Sequence, residues 1–312
     1  MNANGLYNGL EGYIVPGTNS GMGNGVVNGV VNNEGNVKLK PLDKYQGGSC
    51  VFSLRKLYYS YNGPAIRVRR SNDNAEQDIG FLGNGDFNES SLVSFVGVNS
   101  GFVSTWYDQS GNGRNAIQTV TANQPRIVNS GAVDKINNKV TLFFDGSNDN
   151  MYVSSFNNTK VAAFVVFARQ TGTSLGRTIL RKGRTANTSL EFFIRTDVSN
   201  YLECNASTGA STVTTNTNPN TINSTAINLG VLLFNNSTVR TSINSNAYVS
   251  TNLSGNMFQG TANLLIGAGC GDESCTIGDL FWGGQISEVI IFGSEPNDVN
   301  IKSEINSYYK IY

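Results

Sequence analysis

The hydrophobic pattern along the chain is dominated by short runs with β character. Stretches such as "GFVSTWYDQ" (101–109), "KVTLFFDG" (139–146), "KVAAFVVFARQ" (160–170), "SLEFFIRTD" (189–197), "LGVLLFNNS" (229–237) and "FWGGQISEVIIFGS" (281–294) follow one another, separated by Gly, Asn and Ser turns. Many short strands of this kind predict two packed sheets, not an alternation of strands and helices. The "TNTNPNTINSTAIN" tract (215–228) reads as a polar loop between strands. No internal repeat of the length a propeller blade requires is present.

Two stretches have helical spacing. In "SCVFSLRKLYYSYNG" (49–63), Val51, Leu54, Leu57 and Tyr58 would share one face, with Arg55 and Lys56 on the other and Asn62-Gly63-Pro64 as the stop. "AIRVRRS" (65–71) then alternates as a strand. At the other end, "PNDVNIKSEINSYYKIY" (296–312) predicts a short amphipathic helix and an apolar tail that docks back on the sheets. Residues 1–45 differ in texture, with repeated Asn-Gly turns around small apolar pairs such as Val26-Val27 and Val30-Val31. They predict an arm that orders against a partner. Residues 46–312 are then the folded domain.

Composition narrows the functions. Lys+Arg and Asp+Glu both number 22, so no basic excess exists to neutralise phosphates, and nucleic-acid binding by counterion release is excluded. Only 14% of residues are charged, which suits neutral ligands such as sugars or contact with other subunits. Histidine is absent, which removes Ser-His-Asp and Cys-His catalysis, HExxH metal sites and imidazole switches together. The cysteines, Cys50, Cys204, Cys270 and Cys275, match no zinc spacing and are expected to be reduced and buried, with a small Cys270–Cys275 loop as the alternative. The N-terminus shows neither the basic nor the apolar region of a signal peptide, and no run approaches the roughly 20 apolar residues of a membrane span. These features predict a protein that neither inserts into a membrane nor follows the general secretory route.

Candidate chemistry begins with Asp108 in "TWYDQSGNGRNAIQ" (105–118). An Asp before such a turn accepts bonds from the turn's backbone amides, so Asp108 is expected to be a structural clamp. "SLRKLYYSYNGPAIRVRRSNDNAEQDIGF" (53–81), "TWYDQSGNGRNAIQ" and "VTLFFDGSNDNM" resemble the catalytic domain of α-L-arabinofuranosidase B. More broadly they are similar to concanavalin A-like lectin/laminin-G modules of bacteriophage virion proteins. The C-terminal "FWGGQISEVIIFGSEPNDVNIKSEINSYYKIY" resembles the way such jelly rolls end. The resemblance spans about residues 48–312. It implies an all-β, concanavalin A-like jelly-roll β-sandwich with short flanking helices behind an extended Gly/Asn-rich arm.

By the same resemblance, a retaining glycosidase would use two carboxylates about 5 Å apart. Glu191 is the nearest match to the nucleophile and Asp272, in "LLIGAGCGDES", to the acid/base. The chain departs from the family in lacking its adjacent cysteine pair and in the spacing within "GAGCGDES". The plainer expectation is that Glu191 is a polar residue on an outer face and that Asp272 or Glu273 belongs to an exposed turn. Trp282 and Tyr107 are candidate sugar-stacking residues, with core packing as the alternative. "DGSNDN" (145–150) and "GCGDES" (269–274) offer oxygens to calcium, but turns of this composition rarely supply the six to eight ligands the ion takes, so no metal or cofactor is expected.

The resulting expectation is a bacteriophage structural protein: a head fibre, tail fibre or capsid-decoration subunit that is not an enzyme or, if it is one, a glycosidase. Its arm would bind other virion proteins, it would self-associate as a homotrimer in a virion assembled in the host cytoplasm, and its sandwich would touch host-surface or mucus glycans. The alternative is a retaining glycoside hydrolase acting on arabinose-containing polysaccharides. A decoration protein that binds no sugar is a third possibility.

Overall fold

The computed structural model describes residues 39–312 apart from 46, 171, 173–175, 187 and 224–225. Within them, the apolar runs form antiparallel strands in two stacked layers, the jelly-roll sandwich expected from the sequence. In one layer, Val249–Asn252 pairs with Thr238–Ile243, then Asn228–Phe234, Val161–Arg169 and Gly283–Phe292 follow. The long Gly283–Phe292 strand takes two partners along its far edge, Leu142–Asp145 beside its first half and Gly48–Ser53 beside its second. The other layer runs from Thr212–Thr221 through Tyr201–Ser207, Phe192–Thr196, Thr178–Lys182, Leu264–Ile266 and Met151–Val153 to Ala116–Ile117. It continues into Gly101–Trp106, Ile66–Arg70 and Glu76–Ile79. Arg126–Asn129 bonds to both Gly101–Trp106 and Leu142–Asp145, so the layers join in one hydrogen-bonded surface.

The alternation of side chains assigns each residue to a face. In Val161–Arg169, Ala163, Val165 and Phe167 enter the core between the layers, while Ala162, Phe164 and Val166 point outward. The outward set is also buried, which explains why this strand reads as a continuous apolar run. Its cover is the C-terminal helix Asp298–Tyr309 and the segment around Leu42, Leu57 and Tyr58. In that helix Ile301, Ile305 and Tyr309 recur every four residues on the buried face, and Asn297 caps the first turn through the Asn300 amide.

Three expectations change. Residues 49–63 are not a helix: Gly48–Ser53 is a strand, with Cys50 and Phe52 facing the inter-sheet core and Val51 the outer cluster. The spacing that looked helical arises because both faces of this strand are buried. The first half of the 215–228 tract belongs to the edge strand Thr212–Thr221, whose threonines suit a half-exposed sheet position. Leu42 and Tyr45, assigned to the arm, pack on the domain, and the Leu42 amide donates to the Leu57 carbonyl. Residues 1–38 of the expected arm lie outside the described residues.

A charged group sits at the middle of this architecture. Glu288, fully buried on the Gly283–Phe292 strand, accepts from Arg55 Nε at 2.8 Å, Arg55 Nη2 at 2.9 Å and Ser53 Oγ at 2.7 Å. Tyr309 Oη is 3.3 Å away. Glu288→Ala leaves the Arg55 guanidinium buried without its counterion, and removal of one partner of such a pair costs about 3–5 kcal/mol. Urea denaturation should show that loss as a lower midpoint with an unchanged slope.

Candidate functional site

The turn after Gly101–Trp106 is built around one carboxylate. Asp108 is buried, and its Oδ1 accepts from the amides of Val51 and Ser110, both at 2.9 Å. Its Oδ2 accepts from Ser110 Oγ at 2.7 Å and the Arg114 amide at 3.0 Å. The Asp108 amide donates to Asn115 Oδ1 at 3.0 Å. Both carboxylate oxygens are spent, on the turn and on the neighbouring Gly48–Ser53 strand. Asp108 therefore fixes the path of residues 110–115 across Gly48–Ser53 and has no lone pair directed at a ligand.

That path borders a cleft on the outer face of the second layer. Tyr152 faces outward because Met151 and Val153 point into the core, and Leu265, its cross-strand neighbour, faces the same way. Around Tyr152 and Asn263 opens a cavity of about 510 Å³, walled on one side by Gln118 to Asn123 and on the other by Thr276 to Phe281. A second depression of about 290 Å³ shares Tyr152 and Asn263 and reaches Asn115, Ile117 and Ser154. The first wall is held by amides: Gln118 Nε2 donates to the Asn150 carbonyl at 2.9 Å, Gln118 Oε1 accepts from the Val120 amide at 3.0 Å, and Gln124 Nε2 donates to the Gln118 carbonyl at 2.9 Å. Arg69 Nε anchors Gln124 Oε1 at 2.7 Å. Among the described residues, no acidic or basic side chain lines either depression.

The opposite wall hangs from Asp272. Its carboxylate accepts from the amides of Thr276 and Ile277, each at 2.8 Å, and from the hydroxyls of Thr276 at 2.6 Å and Ser274 at 3.1 Å. Partial burial raises its pKa, but these donors outweigh that effect and hold it at about 2, ionised at neutral pH. The adjacent Glu273 accepts from Thr185 and Ser189, tying the loop to the next hairpin. Cys270 and Cys275 are joined by a disulfide across the base of this loop, which corrects the expectation of reduced thiols; Cys50 and Cys204 are free and buried. Five residues of separation and a tight Gly-containing turn bring the two sulfurs together.

Glu191 lies elsewhere. Lys182 stands opposite Leu264 in the register, on the face that enters the inter-sheet core, and Glu191 Oε1 pairs with its ammonium. Both side chains are fully buried. Glu191 Oε1 also accepts from the Gly260 amide at 3.1 Å, while Oε2 has no partner among the described residues. Burial pushes the Glu191 carboxyl up to about 7 against the pull of Lys182, and it lowers the Lys182 pKa. Glu191 is thus not the outer-face residue of the plainer expectation. It lies behind the strands that carry the cleft, whereas Asp272 lies in front of them.

The aromatic candidates fare differently. Trp282 is fully buried and packs edge-on against Phe167 at 5.6 Å, so it is a core residue with no face open to a sugar. Tyr107 is half-buried and donates to Asp78 Oδ1 at 2.9 Å beside the Arg67–Asp78 pair, away from the cleft lining. In the 145–150 turn, Asp145 Oδ1 accepts from the Ser147 and Asn148 amides at 2.8 and 3.2 Å, and the Asp145 amide donates to Asp149 Oδ2 at 2.9 Å. Tyr152, Asn263, Asn123 and Phe281 were missed by sequence reasoning. The available signal was Tyr152, a large aromatic on the outward position of "MYV".

Comparison with known proteins agrees with this architecture. Residues 41–175 match the family model described as α-L-arabinofuranosidase B, catalytic. An arabinofuranosidase complexed with arabinofuranosyl-α-1,2-xylobiose superposes with a TM-score of 0.61 at 13% identity. A GH54 α-L-arabinofuranosidase soaked with a cyclic sulfate inhibitor superposes with a TM-score of 0.62 at 16% identity. In both cases the match covers 88% of this chain and 66% of the other, so the chain spans just under two thirds of those structures. No curated protein matches the sequence. The chain thus has a β-fold like that of the arabinofuranosidase B catalytic domain. These findings overturn the bacteriophage reading, with its fibre or capsid-decoration role and virion location: the matched family and the superposed folds are arabinofuranosidases.

Asp108→Ala should strand the amides of Val51 and Arg114 and lower stability by about 3 kcal/mol, at about 1–3 kcal/mol for each buried group left unsatisfied; chemical denaturation reads the difference. Asp149 supplies a pH test. Burial first, then the neighbouring Asp145 charge, push its carboxyl up to about 7 from the usual 3.8. The folded state therefore keeps a proton that the unfolded state releases between those values. Asp149's contribution is fully present below pH 4 and is lost as pH rises through 7, at no more than about 1.4 kcal/mol per pH unit. Unfolding series at pH 4.5 and 7.5 should show Asp149→Asn losing that part of the slope.

Proposed function

We propose that this chain is a carbohydrate-active protein of the α-L-arabinofuranosidase type, with arabinose-containing polysaccharide as its ligand and glycoside hydrolysis as its reaction. The observation that carries this reading is the family match over residues 41–175, on a sandwich that superposes on arabinofuranosidases over 88% of its length. The cleft supports it chemically. A neutral wall of amides and hydroxyls with aromatic rings beside it suits a sugar, whose hydroxyls need hydrogen bonds and whose ring faces need apolar contact.

Hydrolysis with retention breaks the anomeric C–O bond by carboxylate attack while a second carboxyl protonates the departing oxygen; water then releases the sugar. Asp272 stands on the cleft side of the sheet, beneath the Thr276–Gly278 wall and outside the lining itself. Its low pKa suits attack, charge stabilisation or proton acceptance better than proton donation. Glu191 has the pKa of a proton donor but is committed to Lys182 on the core side. That commitment favours a second reading, in which the cleft holds arabinosyl glycans without cleaving them.

Release of nitrophenol from 4-nitrophenyl α-L-arabinofuranoside separates the two. If Asp272 takes part in the chemistry, Asp272→Asn should lower turnover by at least about a hundredfold, with the circular dichroism spectrum and the disulfide intact. Binding of arabinan with no turnover by the wild type would leave the second reading. Neither turnover nor binding would remove both.

A further inference from the structure

The two depressions on the outer face share a boundary that belongs to neither alone. Tyr152 and Asn263 line both, so the 510 Å³ cavity and the 290 Å³ depression are two ends of one groove with a phenol ring at the junction. The groove's polar groups are of two kinds. Gln118, Asn150 and Thr276 spend their side chains within the protein and act as structure. The side chains of Asn123 and Asn263 and the hydroxyls of Tyr152 and Ser154 make no hydrogen bond with the described residues, and Asn115 uses only its oxygen. Unspent donors and acceptors thus occur at both ends and at the junction. Ile277 is 64% exposed and Val120 53% exposed on opposing rims of the larger cavity, which gives it apolar lips.

We infer that this groove is a binding site for a neutral oligosaccharide, spanning at least two consecutive sugar units with Tyr152 as the platform between them. The inference takes its ligand class from the arabinosyl reading above, but the groove is a recognition surface whether or not a bond is cleaved there. An aromatic ring flanked by free amides fits a sugar with one apolar face and a rim of hydroxyls. Two linked chambers fit a chain of sugars better than a single one. The absence of any lining cation leaves a carboxylate-bearing sugar without compensation for its lost hydration. Asp272 and Asp279 bracket the Thr276–Gly278 wall and add like-charge repulsion against such a sugar. The groove therefore selects pentose or neutral hexose chains over uronic-acid chains.

Isothermal titration of the full chain with α-1,5-arabinotriose, free L-arabinose and trigalacturonate tests this. The expected result is measurable binding of the triose, at least tenfold weaker binding of arabinose, and no binding of trigalacturonate. Tyr152→Ala should weaken the triose at least tenfold. Asn263→Asp, which places a charge at the half-exposed junction, should do the same with an unchanged melting temperature, so that loss of binding is not loss of fold. Equal affinity for arabinose and triose, undiminished triose binding by both variants, no triose binding at all, or tight binding of trigalacturonate each overturns the inference. Nitrophenol release with triose binding insensitive to Tyr152 and Asn263 would remove the groove and keep the hydrolase. Triose binding that depends on both residues, without nitrophenol release, would keep the groove and remove the hydrolase.

Discussion

The buried carboxylate of Glu288 organises this molecule. It sits within Gly283–Phe292, a strand paired along both edges, and its ligands come from distant parts of the chain: Arg55 and Ser53 from the N-terminal strand and the loop after it, Tyr309 from the last helix. An ionised group in such a place is tolerated only when its lone pairs are filled, so the three segments must close together or not at all. Arg55 is further held by the ring of Tyr308, 4.5 Å from its guanidinium. The ends of the sandwich are thereby fixed to its centre, and the outer cluster beneath the helix is sealed by the same contact.

A comparable logic holds the opposite face, with weaker ties. Among the described residues, no helix covers the second layer there. Its outward residues are closed over by two loops, each gathered around a carboxylate: Asp108 for the turn that runs into one end of the groove, Asp272 for the wall at the other. The disulfide and the Glu273 bonds add a second fastening to the Asp272 loop. Both acids do what Asp commonly does at a turn, which is to accept amides that have no other partner. The groove between the loops is consequently preformed, and its shape follows from hydrogen bonds made before any ligand arrives.

Much of the fold was legible because strand runs in this chain are apolar and turns are rich in Gly and Asn. Val161–Arg169, Asn228–Phe234 and Gly283–Phe292 could be read almost to their ends. The errors have physical causes. In Gly48–Ser53 both faces are buried, which erases alternation and lets a helical spacing appear by coincidence. The helix Glu89–Val96 was lost among polar residues, although Asn88, which caps the Ser91 amide, and Leu92 and Val96, four apart, were its signal. At the site, Asp108 was readable because its bonds to Ser110 and Arg114 are local in sequence, although the one to Val51 is not. The groove was not, since Gln118, Tyr152, Asn263 and Ile277 meet only through pairing between Met151–Val153, Leu264–Ile266 and Ala116–Ile117.

The period of two in a strand also decides the fate of the carboxylate pair. Sequence context placed Glu191 and Asp272 in suitable surroundings, an apolar strand and a Gly-rich loop, but context says nothing about side. Lys182 lies across from Leu264, and Leu264 points inward, so Lys182 and its partner Glu191 belong to the core. One residue further on, Leu265 points outward, and the Asp272 loop packs over that face through Cys270 and Cys275. A one-residue change of position is all that separates the two faces. The groove on the outer face is therefore lined by neutral hydrogen-bonding groups, while the buried Lys182–Glu191 pair is turned inward.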